Sequence, residues 1–182
     1  DGSIDHVGKD GKSKRFWKFD SDDSPCESIR HLFHLEDGRI LAGCRDGSVH
    51  IFSEKAESAL NHSLVLKPNK GSVLEVSRGS NGAIWVARRQ GGALRLELSD
   101  EEGDSYLDVV RQFSILNGLP SDWVNSVFED KEGNFWFAHS AGVSKLRKNY
   151  EAFQTWTGTS RAGESPALPS SGVGAITHTY DR

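Results

Sequence analysis

The sequence predicts an all-β fold built from repeated four-stranded units. Three copies of one pattern run through its 182 residues: two aliphatic residues three positions apart, then a turn whose glycine lies nine residues after the first aliphatic residue. The turn glycines, Gly38, Gly82 and Gly133, are 44 and 51 residues apart. Apolar residues within the copies form short strand-like runs rather than helical stripes. Four strands recurring at this interval are typical of β-propeller blades.

Each strand of the repeat has its own signature. The first strand begins at Ile29, Val73 or Val124 and ends at a turn rich in Asp, Asn and Gly, which favours a hairpin. The second strand is apolar on both faces, as expected between two sheets, at residues 40–42, 84–86 and 135–137. The third strand alternates, and the fourth is looser, at residues 16–19, 64–66, 107–113 and 153–156.

The phase of the repeat sets the expected domain organisation. We assign residues 1–26 to the outer strands of a preceding blade, 27–70, 71–121 and 122–170 to three blades, and 171–182 to the inner strand of a following blade. Because the terminal pieces do not supply a complete blade and the chain has no methionine, we expect a fragment of about four blades from a larger, seven- or eight-bladed propeller.

Composition and motifs exclude several classes of function. The formal net charge of −4 provides no overall basic field for nucleic acid, and no apolar run reaches the roughly 18 residues of a membrane span. The seven histidines lack zinc-type spacing, and no nucleophile elbow, P-loop or dinucleotide fingerprint occurs. We therefore predict a segment that is not an enzyme and that holds neither a metal nor a cofactor.

One stretch resembles a known family. Residues 118–143 contain, in order, GLPSDWV, an aliphatic strand ending in ED, then GNFW and AGV. This succession is similar to the two-component regulator propeller repeat, with its NGLPS opening, GNLW turn and GGL start of the third strand. The second copy keeps Gly82 and Trp85 but lacks the opening, and the first has Leu41 at the tryptophan position.

The resemblance implies a non-catalytic sensor. In that family, blade arrays lie outside the inner membrane, upstream of a transmembrane helix and kinase modules. We therefore expect a periplasmic or extracytoplasmic signal-transduction segment that binds a small molecule or an oligosaccharide. Its protein partners would be the remaining blades or a second copy of the chain. Two other classes remain open: a polysaccharide lyase or hydrolase, since similar DGxIWF repeats occur in virginiamycin B lyase-like propellers, and a propeller that binds a protein.

Loops that differ between the copies form the candidate ligand site. Six or seven residues after the turn glycines come Arg45, Arg88, Arg89 and His139, between the second and third strands. If they converge on one face, they predict a site for an anionic ligand such as a uronate-containing or sulfated oligosaccharide, because Arg binds such groups in bidentate fashion. Solvated loop cations are the alternative.

Three further residues complete the candidate set. Trp123 has no apolar counterpart in the other copies and is a candidate stacking surface, while Arg30 and Asn125 are candidates to face a central channel. The other repeated residues are assigned to blade structure: Gly38, Gly82, Gly133, Trp85, Trp136, Pro120 and Pro169.

The cysteines and two acidic runs carry smaller expectations. Cys26 and Cys44 flank the first hairpin, but its register would place Cys26 nearer Gly47, which argues against a disulfide even though an oxidising compartment would allow one. The acidic runs at residues 20–23 and 100–104 lack EF-hand spacing, so we expect solvated loops rather than calcium sites.

Overall fold

The secondary structure is almost entirely antiparallel β. In the computed structural model of the chain, the described residues are 3–7, 11–18, 26, 28–54, 60–67, 71–101, 104–148, 153–157 and 173–174. Within them, strands alternate with turns, and a short 3₁₀ helix spans Ile115–Asn117. No helix in these ranges is long and apolar enough to cross a membrane.

Each repeat forms one up-and-down sheet. β1 (Ser3–Val7) and β2 (Ser13–Lys18) pair as a two-stranded sheet. The first four-stranded sheet contains β3 (Ile29–His34), β4 (Ile40–Cys44), β5 (Val49–Glu54) and β6 (Leu60–Leu66). The second contains β7 (Val73–Arg78), β8 (Ile84–Arg88), β9 (Ala93–Glu101) and β10 (Asp104–Phe113), and the third β11 (Val124–Glu129), β12 (Phe135–His139), β13 (Gly142–Leu146) and β14 (Phe153–Thr157). Three consecutive sheets of this order confirm the predicted four-stranded propeller blades.

The chain divides into two compact units. The first comprises residues 1–73 and 99–107, and the second residues 74–98 and 108–182. A small buried cluster in the first unit contains Cys26, Cys44 and Phe52. The core of the second unit is aromatic: the ring centroid of Trp85 lies 5.5 Å from that of Phe113 and 5.8 Å from that of Phe137.

The two repeat tryptophans have different surroundings. Trp85 is buried in the aromatic core. Trp136, at the same repeat position, is half-buried; its ring stacks on Trp156 with centroids 5.6 Å apart, and its Nε1 donates to Asp130 Oδ2 at 2.8 Å. The same position therefore supports core packing in one blade and a hydrogen-bonded stack in another.

Glycine is required at two kinds of position. The hairpin glycines Gly38, Gly82 and Gly133 have φ angles of 90°, 84° and 79°. At the start of the third strand, a Cβ on Gly92 would lie 1.8 Å from the Phe113 carbonyl oxygen, and one on Gly142 would be 2.0 Å from that of Trp156. Such close approach excludes any side chain, which explains the glycine of the repeat pattern here.

Asp100, the first residue of one acidic run, takes part in an ion-pair network in the first unit. Arg39 Nη1 donates to Asp100 Oδ1 at 2.5 Å, and Arg39 Nη2 donates to Asp37 Oδ2 at 2.7 Å. Ser105 Oγ also donates to Asp100, and these hydrogen bonds lower the pKa of the Asp100 carboxyl. Asp100 is therefore engaged rather than simply solvated. The run at residues 20–23 lies outside the described residues.

Candidate functional site

Arg88 is buried, which differs from the loop position expected from the sequence. It is the last residue of β8, and its side chain is 1% exposed. Nη2 donates to the Gly91 carbonyl at 2.6 Å, while Nε has no hydrogen-bond partner in the described part of the chain. Burial lowers the pKa of Arg88, and the nearby charge of Asp122 opposes that shift.

His139 is the buried counterpart at the end of β12. Its Nε2 lies 2.9 Å from Ser144 Oγ, which in turn lies 2.7 Å from Thr155 Oγ1. Its Nδ1 is also buried and finds no partner among the residues described. Burial lowers the pKa of His139 to about 4, so the imidazole is neutral at neutral pH. Neither Arg88 nor His139 is thus a solvated loop cation.

Arg30 and Asn125 occupy β-bulges at the same repeat position. The ladder between β3 and β4 skips Arg30, and that between β11 and β12 skips Asn125. A bulge re-aims the side chain of the extra residue. Arg30 is exposed, whereas Asn125 Nδ2 donates to the Val173 carbonyl at 2.6 Å.

Arg45 is an exposed residue of the β4–β5 turn in the first unit. Its backbone N–H donates to the Ser28 carbonyl at 2.9 Å, and its own carbonyl accepts from Ser72 Oγ at 2.8 Å. Arg30 belongs to the same unit, whereas Arg88, Arg89, Trp123, Asn125 and His139 belong to the second. Convergence of all the loop cations therefore stays a prediction.

Arg89 and Trp123 are the candidates that come into direct contact. The Arg89 guanidinium carbon lies 4.6 Å from the centroid of the Trp123 ring. Both side chains are exposed, Trp123 to 41%. A cation over the face of an indole ring is attracted by the ring quadrupole. The pair joins a flat apolar surface to a charged hydrogen-bond donor.

The backbone of Trp123 is fixed from both sides. Its N–H donates to Ser121 Oγ at 3.0 Å, and its carbonyl accepts from the Ser140 N–H at 3.0 Å. The hydroxyls of Ser121 and Ser140 lie 2.8 Å apart. We call Arg89, Ser121, Trp123 and Ser140 the Trp123 surface.

The 3₁₀ helix before this surface was not predicted from the sequence. Ser114 Oγ accepts from the Leu116 N–H, and Asn117 Oδ1 accepts from the Ser114 N–H at 2.7 Å, which forms a capping box. Asp122 Oδ1 accepts from the Ile115 N–H at 2.8 Å and so braces the helix against the tryptophan loop. The spacing of Ser114 and Asn117 is the signal that reveals this cap. Pro120 is exposed in this loop, and Pro169 lies outside the described residues.

The cysteines correct a second expectation, because Cys26 and Cys44 form a disulfide with Cα atoms 5.5 Å apart. The predicted register itself holds, since Ile29 pairs with Cys44. The chain bends at Ser28 instead of continuing straight, so Cys26 lies beside Cys44 and not opposite Gly47. Straight extension of the strand was the wrong assumption.

A buried polar chain beside the disulfide was missed from the sequence. Asp46 Oδ1 accepts from Ser48 Oγ at 2.7 Å, and Ser48 Oγ lies 3.0 Å from His50 Nε2. His50 and the two cysteines bring atoms of metal-ligand type within 4.8 Å of one another. Because the two sulfur atoms are bonded to each other, they are not thiolate ligands.

Comparisons with known proteins agree with the blade architecture. Residues 118–141 match the family model described as two component regulator propeller. No curated protein matches the chain. The extracellular domain of BT3049 from B. thetaiotaomicron, described as a hybrid two component system, is similar in structure with a TM-score of 0.56 and 23% identity over 80% of this chain and 19% of that one.

A second similar structure has the same origin. The extracellular domain of BT4673 from B. thetaiotaomicron, described as a one component or hybrid two component system, gives a TM-score of 0.59 and 17% identity over 81% of this chain. The chain spans 21% of the length of that domain. At these identities the similarity establishes the fold. Residues 118–141 thus match the two component regulator propeller model, within a chain whose sheets have the strand order of propeller blades.

Proposed function

We propose that the chain is a non-catalytic sensor segment of a two-component signal-transduction receptor, located outside the cytoplasm. The repeat at residues 118–141 supports this assignment, as does the similarity to extracellular domains of receptors described as hybrid two component systems. The chain spans about a fifth of the length of those domains. Its protein partners in this proposal are therefore the remaining blades or a second copy of the chain.

The single observation that carries the ligand assignment is the Trp123 surface. It combines a half-exposed indole with a guanidinium and two neighbouring hydroxyls. Binding sites for small polar molecules pair an aromatic surface with a few placed hydrogen-bonding groups. An oligosaccharide meets both requirements, because its ring faces are apolar and its edges carry hydroxyls. Its binding signals only if one receptor state binds it more tightly than the other.

The test is calorimetric titration of the protein with the glycan that binds best in an array. Trp123→Ala should weaken binding about tenfold, because it removes the stacking surface. Tyr106→Ala is the matched control, since it removes another exposed aromatic ring, 46% exposed on β10. Equal losses in both variants, or no glycan binding by the wild type, would contradict the proposal. Turnover of a polyuronide would instead favour a lyase or hydrolase.

A protein partner is the second candidate, and the apolar tip of the 3₁₀ helix favours it. Leu116 is 92% exposed and Ile115 56%, on a segment fixed by its capping box. Exposed apolar side chains on an ordered segment are typical of protein contacts. Leu116→Ser should abolish a stoichiometric protein complex while glycan affinity stays unchanged. Loss of glycan binding in this variant would argue against a separate protein surface.

A further inference from the structure

We infer that the Trp123 surface selects an anionic sugar, whose carboxylate or sulfate pairs with Arg89 while its ring packs on Trp123. The inference rests on the proposed function and names the ligand class of the same site. It differs from the cluster expected from the sequence, because one exposed arginine, rather than four converging cations, makes the contact.

The first step is the state of the Arg89 guanidinium. It is exposed, it lies over the Trp123 ring at 4.6 Å, and no carboxylate of the described chain forms an ion pair with it. By contrast, Arg39 binds Asp37 and Asp100. The Arg89 guanidinium thus has no carboxylate partner among the described residues and lies beside an indole that is itself 41% exposed.

The second step is the positive charge that Arg88 adds next to Arg89. Arg88, the last residue of β8, is buried with the Gly91 carbonyl as its acceptor, whereas Arg89, just beyond the strand, is exposed. Asp122 acts electrostatically on Arg88, but its Oδ1 is already engaged by the Ile115 N–H. Arg88 and Arg89 therefore place two consecutive positive charges at this end of β8, and this charge favours an anion. Arg88 contributes to this charge without touching the ligand.

The third step is pre-organisation. Contact with the indole restricts the rotamers of Arg89, and Trp123 is fixed by hydrogen bonds on both sides of its backbone. Less side-chain freedom is lost when a restricted arginine binds a carboxylate or sulfate. Lysine would lack the planar fork that such groups accept in bidentate fashion.

The test uses two matched probes, trigalacturonate and its fully methyl-esterified form, titrated calorimetrically into the full chain. We expect the acid to bind about ten- to a hundredfold more tightly than the ester, because a hydrogen bond to a charged group is lost in the ester. Arg89→Gln should remove that difference, and added salt should weaken binding of the acid alone. Arg111→Gln is the matched control, since Arg111 is also exposed and lies 4.9 Å from a ring centroid, that of Phe113.

The outcomes separate the inference from the proposed function. If acid and ester bind equally and Arg89→Gln changes neither affinity, the inference is overturned, whereas the proposed function survives provided that Trp123→Ala weakens both. If Arg111→Gln costs as much as Arg89→Gln, the preference for the acid reflects general surface charge and the inference also fails. If neither probe binds the wild type, a heparin-derived disaccharide and its desulfated form replace them, and failure of this pair too rejects both ideas.

Discussion

The ends of β8 and β12 carry the same repeat position with different chemistry. Arg88 and His139 both lie six residues after a turn glycine and both are buried. Each has one buried nitrogen that finds no hydrogen-bond partner among the described residues. Burial lowers the pKa of both side chains. The imidazole escapes the cost of desolvation by staying neutral, whereas a guanidinium remains charged at any ordinary pH. One blade therefore contains a buried charge where another does not.

The first blade fills this position in a third way. Cys44, at the end of β4, is buried and bonded to Cys26. The repeat thus specifies a buried site at the end of the second strand but leaves its chemistry free: a covalent bond, a charge or a neutral ring. Three substitutions test how much stability depends on each choice.

The disulfide at this position should have the largest effect on stability at neutral pH. Cys26→Ala/Cys44→Ala should lower the free energy of unfolding by about 3 kcal/mol, because the bond joins residues 18 positions apart and restricts the unfolded chain. Urea unfolding of both proteins measures the difference. Wild type treated with a reductant should unfold like the variant, and identical midpoints before and after reduction would contradict the prediction.

The neutral imidazole of His139 at this position should make the free energy of unfolding depend on pH. The pKa of His139 is about 4 in the folded state and about 6.5 unfolded, so the unfolded chain takes up the proton first. The associated stability is present above pH 6.5 and is lost as the pH falls towards 4. When the pH falls from 7 to 4, the free energy of unfolding of His139→Gln should therefore decrease by about 3 kcal/mol less than that of wild type. Urea unfolding at both pH values measures this difference. The control is His34→Gln, at an exposed histidine on β3, and equal changes in both variants would contradict the prediction.

Substitution of the charged residue at this position, Arg88, should have the smallest effect on stability. Arg88→Met should leave the free energy of unfolding unchanged or raise it by about 1 kcal/mol, because it removes a desolvated charge that has no ion-pair partner in the described ranges. The Gly91 carbonyl still accepts from Gln112 Nε2 at 3.0 Å in the absence of Arg88. Thermal unfolding followed by circular dichroism tests this. A loss of several kcal/mol would mean that the Arg88 hydrogen bond outweighs its desolvation.

The sequence predicts the blades well because their determinants are local. Hairpin glycines and short apolar runs place the strands, and the family resemblance appears where the pattern is most complete, at residues 118–141. The candidate site depends on contacts that no local pattern encodes. Arg89 and Trp123 come into contact although they belong to loops of two different blades. Arg88 and His139 are polar residues whose sequence pattern predicts loops, whereas in the structure they are the last residues of β8 and β12.

The bend before β3 shows the same limit. A period-2 register places Ile29 opposite Cys44 correctly, yet extending it to Cys26 fails because the chain turns at Ser28. Strand pairing predicts positions only as far as the strand runs. The Asp46–Ser48–His50 chain was missed for a related reason, since its members are separated by single residues and look like an ordinary polar turn.

The hydrogen bonds around Trp123 have a consequence for the speed of recognition. Its amide and carbonyl are both bonded, and the neighbouring 3₁₀ helix is braced by Asp122. A binding surface that must first fold slows association, whereas an ordered one meets its partner as a rigid body. Association at the Trp123 surface should therefore proceed in a single kinetic phase. Ligands of different affinity should differ in their dissociation rate constants more than in their association rate constants.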